Sequence, residues 1–281
     1  MNWLLEDTFR RAMTEAAAVG VLSGLVGVHV VLRRLSFFTM TMTHAAFPGL
    51  VAAAILGINV YLGGAIAGLL MAAAIAALAR VRGQGASAAT GVVLSAGFAL
   101  GVALVATQDG FNHDLSAFLV GSILTVSDQD LAMTVGILAV TAVGLSLGGR
   151  HLLFAGFDPA GARAAGYPTW LFDLVLLLLI DLVVVAVVPA VGAILALALI
   201  VAPAAAARAW TDRLAPMTGL AVAFGVASAV GGLWLSRIAE VATGGGITLT
   251  ATAVLLLSLA ARRRSRYLSV RSGERTVGSP A

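Results

Sequence analysis

Long apolar stretches separated by short polar gaps run through almost the whole chain. Each stretch is close to the ~20 residues that a helix needs to cross the hydrocarbon core of a bilayer. The predicted spans are residues 14–32, 40–58, 61–80, 87–107, 131–149, 170–188, 190–207, 216–235 and 246–261. Because Pro48, Pro189 and Pro203 interrupt or bound some of these stretches, the pattern predicts eight or nine spans.

Three parts of the chain depart from this pattern. Residues 1–13 mix large apolar and charged side chains, which is typical of an amphipathic helix at the membrane interface. Residues 108–130 contain an apolar part that is too short to cross, which predicts a re-entrant or interfacial segment. Residues 263–281 are basic and polar, and we expect a cytoplasmic tail without regular structure. Residues 14–262 then form the membrane domain of an all-α polytopic membrane protein.

The composition supports this fold class. Of the 281 residues, 60% are hydrophobic and only 11% are charged, against the ~25% charged residues of soluble domains. The 32 glycines favour close helix packing in a bilayer, where no hydrophobic force drives helices together. Because the sequence contains no cysteine, disulfides, thiolate metal sites and cysteine nucleophiles are excluded.

The arginines predict the orientation of the chain. Fourteen of the seventeen fall in alternate gaps or in the tail. If these segments are cytoplasmic, the positive-inside rule is satisfied. Nine spans then place the N-terminus outside and the tail inside. Membrane topology therefore explains the net charge of +4, and we expect no nucleic-acid partner.

Two titratable side chains lie inside predicted spans, where a polar group is costly and often marks a transport route. His44, four residues before Pro48, carries an imidazole, the commonest transition-metal ligand. Asp181 lies in an aliphatic run and would suit Mn²⁺ or, together with histidine, Zn²⁺ or Fe²⁺. For each, a structural role with a hydrogen bond to a neighbouring helix is the alternative. His113 and Asp114 form a polar pair in a loop predicted to face outside, where cations would enter, although most such loop residues are simply solvated.

The cytoplasmic loop 150–169 predicts a short helix. An aspartate at its start can cap it, with proline at the first position, and a glycine can end it in a left-handed conformation. This helix is either a capped connector or a surface that docks onto a cytoplasmic partner. The residues of this surface are Asp158, Pro159, Ala160, Arg163 and Gly166. The sequence contains no Walker-type phosphate loop, nucleophile elbow or metalloprotease motif, so we expect no enzyme.

Five segments, in this order along the chain, resemble the permease subunits of bacterial ABC transporters for manganese, zinc and iron, the ABC-3 family. The segments are 27–37, 43–49, 118–127, 158–166 and 192–207. The second reads Thr-His-Ala-Ala-Phe-Pro-Gly, which is similar to the family's Ser-His-Ala-Ala-Leu-Pro-Gly. The resemblance covers residues 10–262.

This resemblance implies a transport subunit of the bacterial cytoplasmic membrane. The transported substrate would be a divalent metal ion, with no tightly bound cofactor and no covalent chemistry in this chain. ATP would be used by a separate cytoplasmic ATP-binding subunit coupled through residues 158–166. An extracytoplasmic metal-binding protein would deliver the ion, and two copies of the chain would pair around a central pore in the lipid bilayer, with alternating access.

The chain departs from the family at one position. The family often has an aspartate four residues before the signature histidine, where this chain has Met40. A thioether is a poor ligand for hard Mn²⁺. Three explanations are open: Asp181 supplies the missing carboxylate, the substrate differs, or His44 is structural. A proton-coupled secondary transporter that uses His44 and Asp181, and a membrane scaffold without transport, are the alternative functions.

Overall fold

The computed structural model describes residues 2–78, 86–107 and 121–277, and these ranges contain helices and turns but no strands. The all-α fold class is therefore confirmed. The ten α-helices within these ranges are α1 (Asn2–Leu32), α2 (Ser36–Leu56), α3 (Val60–Leu78), α4 (Ala86–Ala106), α5 (Asp128–Phe157), α6 (Pro159–Ala164), α7 (Thr169–Val191), α8 (Ala193–Trp210), α9 (Leu214–Ala239) and α10 (Thr243–Val277). A single 3-10 turn, Ile123–Thr125, precedes α5.

The predicted number of spans is confirmed. Eight of the described helices are long and apolar enough to cross a membrane, and the apolar part of α8, Leu195–Trp210, is a shorter ninth candidate. The helix between α5 and α7 has only six residues, Pro159–Ala164. It therefore lies between two spans and crosses nothing.

Both ends of the chain differ from the predicted boundaries. Helix α1 runs from Asn2 to Leu32 without a break at residue 13. At ~1.5 Å per residue it is about 46 Å long, longer than the ~30 Å hydrocarbon core, so its first turns project beyond that core. Helix α10 continues to Val277, so residues 263–277 are helical where we expected no regular structure. Arginine, leucine and serine are all tolerated in a helix, and no proline follows until Pro280.

The most buried spans are α1, α2 and α7, and the other spans surround them. Helix α1 packs against α9, α8, α5 and α7. Its side chains Leu22 and Val26 are fully buried, as are Ile180 and Val184 of α7. The interior of the bundle is therefore aliphatic, and any polar group in it needs an explanation.

Glycines let α1 approach its neighbours closely. A Cβ atom at Gly20 would lie 2.8 Å from the Cα atom of Val226 on α9, and one at Gly24 would lie 2.5 Å from the Cα atom of Val222. Any larger residue at these positions would push the two helices apart. Contact between small residues is the usual basis of helix packing in membranes.

Residues 121–127 cover the turn between α7 and α8. The backbone N–H of Ser122 donates to the carbonyl of Pro189 at 3.2 Å, and Ile123 is fully buried in the core. Gly192, with φ 98°, makes the sharp turn between the two helices. This is the described part of the segment for which we predicted a re-entrant or interfacial course.

Candidate transport site

His44 lies near the middle of α2 and is half-buried. Its ring stands perpendicular to that of Phe98 on α4, with 5.8 Å between the ring centroids. Phe98 also stacks on Phe47 at 5.8 Å. Among the described residues, no hydrogen bond holds the imidazole of His44. Its nitrogens are therefore available to a ligand.

Pro48 changes the backbone at the same point. In an α-helix the N–H of residue 48 would donate to the carbonyl of residue 44, but proline has no N–H. The carbonyl of His44 thus lacks its usual helical partner. The hydroxyls of Thr39, Thr41 and Thr43, by contrast, donate to backbone carbonyls three or four residues earlier in the chain. A carbonyl and an imidazole are consequently the two groups that α2 offers to a cation here.

Asp181 lies on α7 and is only 3% exposed. Its carboxylate packs against Gly68 on α3, where a Cβ atom would overlap it. One turn further along, Gly64 of α3 faces Val185 of α7 in the same way. The Oδ1 atom of Asp181 has no hydrogen-bond partner among the described residues. The interhelical hydrogen bond that would explain a structural carboxylate is thus absent from the described part of the chain.

The described contacts of the two predicted pathway residues are with different helices. His44 faces α4 through Phe98, whereas Asp181 faces α3 through Gly68. Within the described ranges, no group of three or more histidine, cysteine, aspartate or glutamate side chains could hold a metal ion. The described part of one chain therefore supplies no complete metal site.

Met40 lies one turn before His44 on α2 and is half-buried. Helix α2, Ser36–Leu56, contains no acidic residue at all. A carboxylate for a hard cation must accordingly come from another element or from another chain.

The loop 150–169 contains the predicted short helix, α6. The side chain of Asp158 accepts from the backbone N–H of Gly161 at 2.8 Å, and Pro159 is at the first helical position. At the other end Gly166, with φ 82°, terminates the helix. The backbone N–H of Tyr167 donates to the carbonyl of Ala162 at 3.0 Å, which completes a Schellman motif. Only the buried Ala162 anchors α6 in the core, while Ala160 and Arg163 are exposed.

His113 and Asp114, predicted to lie at the outer mouth, fall outside the described residues. A different polar cluster is present at that end of the bundle. The hydroxyl of Thr134 donates to Glu15 at 2.7 Å, and the hydroxyl of Tyr61 donates to Asp130 at 3.1 Å.

Glu15 was not among the site residues predicted from the sequence. It is only 1% exposed, and its Oε2 atom has no partner among the described residues. The sequence feature that could have identified it is a carboxylate followed by three alanines inside the first apolar stretch. The partner, Thr134, is 119 residues away in sequence, so no local pattern could have supplied it.

The fold defines the class of protein, a multi-pass α-helical membrane protein. Eight of the described helices are long and apolar enough to cross a bilayer, and titratable side chains, among them His44 and Asp181, lie inside them. Comparison with known proteins identifies the family. The chain matches the ABC 3 transport family over residues 6–262 and belongs to that family.

Two curated relatives and one solved structure illustrate the similarity. The manganese transport system membrane protein MntC of Halalkalibacterium halodurans is 36% identical over 89% of this chain and 85% of its own. The manganese import system permease protein ScaB of Streptococcus gordonii is 32% identical over 92% of this chain and 93% of its own. The structure of PsaBC from Streptococcus pneumoniae in complex with Fab has a TM-score of 0.87 at 32% identity, covering 94% of this chain and 95% of that one.

Family membership determines the general role of the chain. It is a permease subunit of a metal-ion ABC transporter in the bacterial plasma membrane, and ATP hydrolysis belongs to a separate subunit. The chain itself is no enzyme. The proton-coupled alternative finds no support among the relatives.

Proposed function

We propose that this chain is the permease of an ABC importer that carries Mn²⁺ into the cell by alternating access. Two relatives that align with most of the chain are named as a manganese transport system membrane protein and a manganese import system permease protein, at 36% and 32% identity. The single observation in the structure that carries the proposal is His44, which lies in a membrane span. Among the described residues its imidazole has no hydrogen bond, and its carbonyl lacks the usual helical partner because Pro48 has no N–H. Zn²⁺ and Fe²⁺ are the competing substrates, because imidazole suits them as well.

His44 is the first pathway residue in this proposal, and Asp181 is the second. A buried carboxylate without a partner is costly in a bilayer and becomes favourable when a cation passes. Because Met40 supplies no carboxylate on α2, water molecules and a second copy of the chain would complete the coordination of the ion. We accordingly propose a homodimer around one pore, with His44 of each copy facing the route.

Each end of the bundle would contact one of the remaining partners. The exposed, capped helix α6 would dock onto the cytoplasmic ATP-binding subunit through Asp158, Pro159, Ala160, Arg163 and Gly166. At the opposite end an extracytoplasmic metal-binding protein would deliver the ion. His113 and Asp114 remain candidates for the outer mouth of that route.

The test is uptake of Mn²⁺ by the permease and its ATPase reconstituted in proteoliposomes, with Zn²⁺ and Fe²⁺ as competitors. We expect ATP-dependent uptake that an uncoupler leaves unchanged. His44→Ala should lower uptake at least as much as the roughly 10- to 100-fold loss caused by altering outer-shell partners of a metal. The complex should still assemble.

His151→Ala is the matched control. This exposed histidine packs against Tyr167, with ring centroids 5.4 Å apart, and has no place in the proposed route. Its variant should transport normally. Normal uptake by His44→Ala would remove that residue from the pathway, and stronger competition by Zn²⁺ or Fe²⁺ than by unlabelled Mn²⁺ would reassign the substrate.

A further inference from the structure

Four arginines converge on one cavity at the end of the bundle that we assign to the cytoplasm. The cavity has a volume of about 760 Å³. Arg33 and Arg34 come from the α1–α2 turn, Arg163 from α6 and Arg208 from the last turn of α8. Asp173 of α7 also lines the cavity. The lining therefore has three more positive than negative side chains.

One of these arginines is paired and the others are not. The guanidinium of Arg33, whose side chain is 10% exposed, lies 2.9 Å from the carboxylate of Asp173. The side chain of Arg33 passes over α5 at Gly156, where an added Cβ atom would overlap the guanidinium. Arg34, Arg163 and Arg208 are exposed and form no ion pair among the described residues. Positive charge in the cavity is consequently left uncompensated.

The backbone at Arg34 is unusual for an arginine. Its φ is 58°, in the left-handed region that favours glycine. Arg34 occupies the position after the end of α1 where a Schellman motif usually has glycine. Its backbone N–H donates to the carbonyl of Val31 at 3.3 Å, and the backbone N–H of Leu35 donates to the carbonyl of Val30 at 2.8 Å. A residue other than glycine is uncommon in this conformation, and such residues cluster at functional sites.

The rest of the cavity is apolar and opens beside an exposed apolar surface. Leu32, Phe157 and Leu177 line it, and the Phe157 side chain is 67% exposed. On α7, next to the face that lines the cavity, Trp170 is also 67% exposed. Tryptophan is enriched where a membrane protein meets the lipid headgroups. The cavity thus combines a cationic lining with apolar walls at headgroup depth.

We propose that this cavity binds the phosphate group of an anionic phospholipid of the cytoplasmic leaflet. A guanidinium group can bind two oxygens of one phosphate at once. Basic pockets between helices on the cytoplasmic side of membrane proteins bind anionic headgroups. Arg34 and Arg208 bind the phosphate, while the acyl chains lie along Phe157 and Leu177. The lipid would sit beside α6 and stabilise the part of the bundle that carries it.

The test uses the permease–ATPase complex in detergent, with Tm measured after adding phosphatidylglycerol, phosphatidylcholine or inorganic phosphate. Phosphatidylglycerol should raise the Tm of the wild type, and phosphatidylcholine should not. The double variant Arg34→Gly/Arg208→Ala should lose this shift. Because glycine suits the backbone at position 34, that change removes the guanidinium without straining the turn. Arg150→Ala, which removes an exposed arginine outside the cavity, is the control and should keep the full shift.

Three outcomes would overturn the proposal. An equal Tm shift in the double variant would place the lipid elsewhere. The same shift with inorganic phosphate, and no further rise with phosphatidylglycerol, would make the ligand a solute. Loss of ATPase association in the double variant with lipid binding intact would assign the arginines to the protein interface. None of these readouts depends on which metal is transported.

Discussion

At the scale of single residues, Asp181 shows why a buried carboxylate has to be located in three dimensions. Its side chain fills the space that the missing side chain of Gly68 leaves between α3 and α7. A carboxylate with no hydrogen bond at Oδ1 in such a place costs stability unless a cation or a proton joins it. Its tight fit against Gly68 can be tested separately from its proposed transport role.

Gly68→Ala should destabilise the protein because the added Cβ atom overlaps the carboxylate of Asp181. Overpacking of this kind typically costs about 1–3 kcal/mol. Replacing Asp181 by alanine in the same chain removes the overlap, so the double variant should be more stable than the sum of the two single changes predicts. Thermal unfolding in detergent measures all three variants.

Gly91→Ala on α4 is the control, since a Cβ atom there meets nothing within 4 Å. It should not lower the Tm, because alanine has the higher helix propensity and meets no neighbour there. Strictly additive effects of the Gly68 and Asp181 substitutions would show that the two residues do not interact in the folded protein.

At the scale of elements, α6 is a six-residue helix that depends on its two ends. So short a helix has little intrinsic stability. Asp158 satisfies the first turn and the left-handed Gly166 satisfies the last. The exposed face of α6 therefore has a defined shape only while both caps are in place.

Asp158→Ala should weaken association with the ATP-binding subunit because it removes the N-cap, a loss of about 1 kcal/mol in helix stability. Asp158→Asn should retain association, since asparagine caps a helix about as well and only the charge is removed. Co-purification of the ATPase with each variant distinguishes the two. If the alanine variant binds as tightly as the wild type, α6 does not need its cap to dock.

At the scale of the whole molecule, the orientation of the chain connects the two ends of the bundle to their proposed partners. Arginines from the α1–α2 turn, α6 and the end of α8 meet at one end. Glu15, Tyr61 and Asp130 lie together at the other end in the predicted orientation. The clustering of arginines at the first end is what the positive-inside rule predicts for the cytoplasmic side of an inner-membrane protein.

A cysteine-free sequence makes the orientation directly testable. Thr107→Cys, after α4, should react with a membrane-impermeant maleimide on intact spheroplasts. Asp212→Cys, between α8 and α9, should react only after permeabilisation. Both positions are exposed, so access through the membrane is the sole expected difference. The reverse labelling pattern would invert the topology and move the basic cavity to the outer face.

The sequence alone was sufficient for the features that depend on neighbouring residues. Hydropathy along the chain predicted the spans, and the arginines predicted which gaps share a side of the membrane. The Asp-Pro and Gly-Tyr-Pro sequences predicted α6. Each of these features depends on the residues of one short segment. The order of short motifs was enough to indicate the family. By contrast, the helical continuation of α10 beyond residue 262 was not predicted. The basic, polar composition of that segment indicated no regular structure, but charge alone does not exclude a helix.

Only the tertiary structure decided which polar side chains meet. Asp181 faces Gly68, while His44 faces Phe98. Glu15 accepts a hydrogen bond from Thr134, on a helix that is distant in the sequence. The basic cavity draws its arginines from three separate elements. In spans that are apolar on all sides, no polar face reveals how a helix is rotated. That rotation is set by contacts between helices, chiefly at glycines, and those contacts are a property of the assembled bundle.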